Sequence, residues 1–86
     1  MDMYFVYLLQ SLKDKKLYIG LTGDLKKRID QHRDGLVEST RYRRPLRLIG
    51  YEAYLTKEEA AGREKFLKKG DGNRELIIRF KKSLLQ

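Results

Sequence analysis

From Met3 to Leu9 the chain is an almost unbroken run of apolar and aromatic side chains, Tyr4, Phe5, Val6 and Tyr7 among them. A run this short and continuous predicts a strand covered on both faces. Lys13-Asp14-Lys15-Lys16 is a polar break that reads as a turn, and Leu17 to Thr22 is a second short strand. The two predict a hairpin. With Asp14-Lys15 as a two-residue loop, Lys13 pairs with Lys16, Ser11 lies opposite Tyr18, and Tyr7 lies opposite Thr22. Side chains alternate along a strand, so Tyr7, Tyr18 and Gly20 then share one face. One more residue in the loop would put the two tyrosines on opposite faces, and Lys15 is not the glycine that a tight turn prefers.

Downstream the apolar period lengthens. Asp24 is a good helix cap, Leu25 and Ile29 mark an apolar side, and Gly35 closes a helix running from Leu25 to about Asp34. Leu36 to Pro45 is an Arg-rich loop with the one proline, and Leu46 to Tyr54 is a third strand. Thr56 followed by Glu59 is a capping box for a helix that stops near Lys69, before Gly70. Asn73 caps a last helix with an apolar stripe of Leu76, Ile77, Phe80 and Leu84. The order β-β-α-β-α-α predicts an α+β fold, a small three-stranded antiparallel sheet flanked by helices. At 86 residues the chain makes one domain, residues 1–86.

Composition narrows the chemistry. With no cysteine, disulfides, thiol catalysis and Cys-based zinc sites are excluded, and the lone His32 cannot build a His-rich metal site. No apolar stretch spans a membrane, and Met-Asp-Met-Tyr is not a basic leader, so the expected setting is soluble and cytoplasmic. The net charge of +8, from 20 Lys and Arg against 12 Asp and Glu, attracts polyanions. A basic surface kept for solubility is the bland alternative.

Several residues carry candidate chemistry. Paired Tyr7 and Tyr18 are ordinary sheet packing or a pair of phenols offered to a ligand. Gly20, inside a strand, marks a bulge or a close backbone or ligand approach. Arg28 and His32 share a helix face, as a solvated pair or a site. Ala60, Ala61 and Leu67 define the buried side of their helix, and Glu64 falls on that stripe. A carboxylate there needs an ion-pair partner or a metal. Arg41, Arg43 and Arg44, with Tyr42 between them, suit phosphate contacts and base stacking or form a plain solvated loop.

Taken in order, these residues resemble the GIY-YIG nuclease family, with two tyrosine triplets on a hairpin, an Arg on the next helix and a Glu on a later one. The triplets here are Phe5-Val6-Tyr7 and Tyr18-Ile19-Gly20, followed by Arg28, His32 one helical turn on, and Glu64. Asn73 matches an auxiliary Asn of some members. The resemblance covers almost the whole chain and is closest to small stand-alone bacterial members; it extends to the GIY-YIG catalytic modules of excinuclease and of homing endonucleases. Phe5 stands where the family has Gly, a change that bears on strand packing more than on the phenol chemistry.

The resemblance implies a metal-dependent endonuclease that hydrolyses phosphodiester bonds, with DNA the favoured substrate and DNA repair or processing the setting. Glu64 would hold one Mg²⁺ or Mn²⁺ ion, and a second acidic ligand is not evident. Tyr7 would be the general base, with His32 accepting its proton, Arg28 stabilising charge and Tyr18 orienting water or phosphate; the two tyrosines could exchange roles. Arg41, Arg43, Arg44, Gly20 and Asn73 would touch nucleic acid. The expected assembly is a monomer or weak homodimer. The competing reading is a nucleic-acid-binding module that keeps the nuclease fold without cutting.

Overall fold

The computed structural model describes residues 2–85. Strand β1 (Tyr4–Ser11) lies in the middle of a three-stranded sheet, with β2 (Leu17–Thr22) and β3 (Leu46–Tyr54) antiparallel on either side. Helices α1 (Leu25–Arg33), α2 (Lys57–Leu67) and α3 (Gly70–Arg79) complete the β-β-α-β-α-α order that the apolar pattern predicts. A central strand is covered on both faces, which is why β1 reads as a continuous apolar run. Among the described residues no helix is long and apolar enough to cross a membrane.

The hairpin register differs from the two-residue turn. Tyr7 pairs with Gly20 and Leu9 with Tyr18, a shift of two residues along the strand. Residues 12–15 form the wider turn, closed by the Ser11 amide on the Lys16 carbonyl at 3.0 Å. The Ser11 hydroxyl accepts the Lys13 and Asp14 amides at 3.1 Å each, and the Asp14 carboxylate accepts the Lys16 amide at 2.8 Å. Lys15 takes φ +65°, the left-handed conformation that a tighter turn would have given to glycine. Because the shift is even, Tyr7, Tyr18 and Gly20 still share a face.

The two faces of the sheet are packed differently. Val6, Leu8 and Ile19 point toward α2 and α3, where they meet Ala60, Leu67 and Leu76. Tyr7, Leu9 and Ser11 point the other way, under α1 and the segment that follows it. Ala61 is exposed, so the buried stripe of α2 is narrower than the sequence suggests. Asp24 caps α1 by accepting the Lys27 amide at 3.1 Å, and Thr56 caps α2 by accepting the Glu59 amide at 3.2 Å.

Helix α3 begins at Gly70, with Lys69 as its cap, so Asn73 lies inside the first turn and is not the cap. The reason is tertiary. A β-carbon at Gly72 would overlap the Phe66 carbonyl, so glycine lets the start of α3 pack against the end of α2. The apolar stripe of α3 is Leu76 and Phe80, with Leu84 beyond it, while Ile77 is exposed.

Candidate active site

On the α1 face the sheet buries polar groups. The Tyr7 hydroxyl lies 2.8 Å from His32 Nε2, and His32 Nδ1 lies 2.8 Å from the Thr40 hydroxyl. Tyr7 and His32 are each 1% exposed. The Tyr18 ring closes the group, edge-on to His32 at 5.0 Å and 6.3 Å from the Tyr7 ring. Gly20 makes the packing possible, because a β-carbon there would overlap the Tyr7 phenol. Of the roles open to this glycine, close approach is the one it serves, and the approaching group is Tyr7 itself.

The helix places the cations. Arg28 and His32 sit one turn apart on α1, and Arg28 donates to the Gln31 side chain at 3.1 Å while its guanidinium lies beside the Tyr7 oxygen. Burial pushes the Tyr7 hydroxyl up to about 12, against the opposing pull of Arg28. Burial, and then the Arg28 charge, pushes His32 down to about 4. At neutral pH the phenol is therefore protonated and the imidazole uncharged. The uncharged imidazole carries one ring proton, so it donates to one of the two hydroxyls, Tyr7 or Thr40, and accepts from the other.

Thr40 is fully buried and was not marked by the sequence as a site residue. Its one sequence signal is its position before the arginines of the basic loop; only the fold of the strap between α1 and β3 (residues 34–45) brings it under His32. A second group the sequence missed is cationic. Lys13 and Arg33 join Arg41 and Arg44, with Tyr42, Pro45 and Leu46, around an open cleft on the α1 side. Arg43 is not part of that lining. Its guanidinium is committed to Asp14 at 3.1 Å and to the Leu17 carbonyl at 3.4 Å, so it anchors the strap to the hairpin. Arg44 is half committed as well, donating to the carbonyls of Arg41 and Arg33.

Two further candidates lie on α2 and α3. Asn73 donates to the Leu67 carbonyl at 3.5 Å and helps join α2 to α3. Glu64 lies on α2, against the opposite sheet face from α1, and pairs with Lys68 at 3.3 Å. The structure thus brings Tyr7, Tyr18, Arg28 and His32 together, while Glu64 makes an ion pair within its own helix. Among the described residues no three His, Asp or Glu side chains gather as a metal cluster. The Glu64 side chain is 23% exposed, and its ion-pair partner is a surface lysine. One such carboxylate fits a hard cation that keeps most of its shell as water and substrate oxygen. It does not fit zinc, which takes three or four protein ligands.

Comparison with known proteins follows the same outline. A family model described as the GIY-YIG catalytic domain matches residues 3–75. The chain is 40% identical over 83 residues to a UPF0213 protein of Clostridium perfringens, across 95% of this chain and 88% of that relative. A UPF0213 protein of Streptococcus pyogenes is 44% identical over 66 residues, across 76% of this chain and 71% of that one. The solution NMR structure of a UPF0213 protein of Bacillus halodurans aligns with TM-score 0.56 and 34% identity, across 92% of this chain and 85% of that one.

Proposed function

The chain belongs to the GIY-YIG catalytic-domain family, and on that premise we propose that it is a metal-dependent endonuclease that hydrolyses phosphodiester bonds, with DNA as the substrate and DNA repair or processing as the setting. The observation that carries this reading is the buried chain of Tyr7, His32 and Thr40 beside Arg28. Burying a phenol and an imidazole costs more than burying leucine and phenylalanine, and packing alone gives no reason for it.

Hydrolysis needs a water that loses a proton and a phosphate whose growing charge is met. Tyr18, half-buried and next to Tyr7, is the phenol that touches the incoming water or phosphate. Tyr7 is closed off and passes protons inward to His32. The two phenols therefore act as one base, with the imidazole as the final acceptor. In the free protein His32 is a weak acceptor, because burial and Arg28 both oppose its charge. A bound phosphate offsets the Arg28 charge, the smaller of these two causes, and so moves the imidazole up from about 4 while its burial still opposes protonation. Arg28 holds the phosphate against the phenols. Glu64 would hold one Mg²⁺ or Mn²⁺ ion, which when bound acts as a Lewis acid on the phosphate. Arg41, Arg44, Lys13 and Arg33 line the cleft for the flanking backbone.

The test is a cleavage assay on labelled DNA and RNA of several structures with Mg²⁺ or Mn²⁺, comparing wild type with Tyr7→Phe and Thr40→Val. Expected are cleavage by wild type, none by Tyr7→Phe, and a lowered rate with a shifted pH profile for Thr40→Val. Equal rates for all three would remove the buried relay from the mechanism.

A further inference from the structure

Phe5, the residue that departs from the family triplet, has a partner on the surface. Its ring meets the ring of Tyr51 edge-on, with centroids 5.8 Å apart and planes at 71°. Tyr51 is the cross-strand partner of Tyr7 on β3. Directly opposed residues point to the same face, with β-carbons about 5 Å apart. Tyr7 is 1% exposed, yet its neighbour Tyr51 is 54% exposed. Helix α1 covers the tyrosine on the central strand and leaves bare the one on the edge strand. Ala53, opposite Phe5, is exposed too and adds no bulk. The result is an open aromatic ledge beside the proposed catalytic cluster, its ring held from one side by Phe5.

We infer that Tyr51 is a stacking surface for an unpaired base of the strand bound at the Tyr7–His32–Arg28 cluster, so that the substrate class is nucleic acid with unpaired bases, such as single strands, flaps or splayed ends, and not intact duplex. The inference rests on the nuclease reading and deepens it. A nucleotide presents an anion and an aromatic face together. The α1 side matches both, with Arg28 and the cationic cleft for phosphates and Tyr51 for the base. In an intact duplex the base faces are already stacked on one another and are not offered to a side chain. A second copy of the chain is the other possible occupant of an exposed aromatic ledge. Each copy carries a net charge of +8, and cations without acids line the cleft at the start of β3, so two copies repel while a polyanion is drawn in.

The experiment uses metal-free protein, so that binding is read without cleavage. A single-stranded oligonucleotide and its duplex, each carrying 2-aminopurine, are titrated with wild type, Tyr51→Ala and Tyr51→Phe. Expected are quenching of the single strand by wild type and tighter binding of single strand than of duplex. For Tyr51→Ala, quenching should disappear and single-strand affinity should fall about tenfold, the usual scale for losing one stacked base. Duplex affinity should change less than twofold, and Tyr51→Phe should behave as wild type. Equal loss on both substrates, or no loss on either, overturns the inference. So does a change in mass by light scattering for Tyr51→Ala, which would assign the ledge to self-association. Tyr51-dependent binding by a wild type that cuts nothing would uphold the stacking site while the nuclease reading fell.

Discussion

Successive residues of one strand serve opposite ends. Val6 and Leu8 point into an apolar cluster with Ala60, Leu67 and Leu76. Tyr7, between them, points into a buried polar group with His32 and Thr40. The first face gains stability by removing carbon from water. The second gives some of that up to hold a phenol, an imidazole and a guanidinium in fixed relation. A sheet with two covered faces lets a small chain keep an apolar core on one side and a buried polar group on the other.

The sharpest way to break this comparison is to remove one group from each face. Tyr7→Phe should cost about a thousandfold or more in cleavage, with a stability loss of about 1–3 kcal/mol from the unpaired imidazole. Leu67→Ala should cost about 2–5 kcal/mol in stability and leave cleavage per folded molecule within a few-fold. Urea unfolding alongside the cleavage assay separates the two. If Leu67→Ala abolished turnover in the folded protein, the division of labour between the faces would be wrong.

Acid should distinguish the faces as well. The folded protein holds His32 at about 4, below its ordinary 6.5, so the unfolded chain binds its proton first. Stability from this group is complete above pH 6.5 and is lost as pH falls from 6.5 toward 4. Unfolding free energy at pH 5 should be lower than at pH 7.5 by roughly 2 kcal/mol. The apolar face contributes no titration between pH 7.5 and 5. Glu52, held low by its bond to Arg63, adds its own loss only below the ordinary carboxylate range. A flat profile between pH 7.5 and 5 would contradict the neutral, buried imidazole.

The smallest effect lies on the strap. Arg41→Ala should lower the salt dependence of nucleic-acid binding by about one unit of log–log slope, the amount for one phosphate contact. Arg43→Ala should leave that slope nearly unchanged, because its guanidinium is already committed to Asp14 and the Leu17 carbonyl. Equal slopes for the two variants would return Arg43 to the cleft.

The apolar face was the more legible of the two. Strand and helix periods placed β2, β3, α1 and α2 within a residue or two of their bounds, because caps such as Asp24 and Thr56 are local signals. Local signals failed where a tertiary contact decided the outcome. Asn73 reads as a cap until Gly72 is known to lie against the Phe66 carbonyl, a contact made by a helix that already begins at Gly70. The turn was two residues wider than expected because the Ser11 hydroxyl organises it. On the polar face, hairpin parity paired Tyr7 with Tyr18 and helical spacing paired Arg28 with His32, and the resemblance to the GIY-YIG family joined the two pairs into one site. Thr40 was not, since nothing in a basic loop says which hydroxyl will be carried under a distant imidazole. Tyr51 was hidden for a similar reason. In sequence it is one more aromatic in a strand, and the bare edge of β3 alone distinguishes it from Tyr7.

The central claim is that this chain cuts nucleic acid with one cation held by Glu64, and it is tested most directly by pairing cleavage with binding for Glu64→Ala. Wild type should cleave at least one labelled substrate when Mg²⁺ or Mn²⁺ is added and stop when the metal is chelated. Glu64→Ala should lose that cleavage, by about a thousandfold or more. Without metal the variant should bind the same substrate as tightly as wild type or tighter, because a carboxylate repels phosphate. If wild type cuts nothing with either metal, and Glu64→Ala binds no differently from it, the account is contradicted and the chain is a binding module on a nuclease fold.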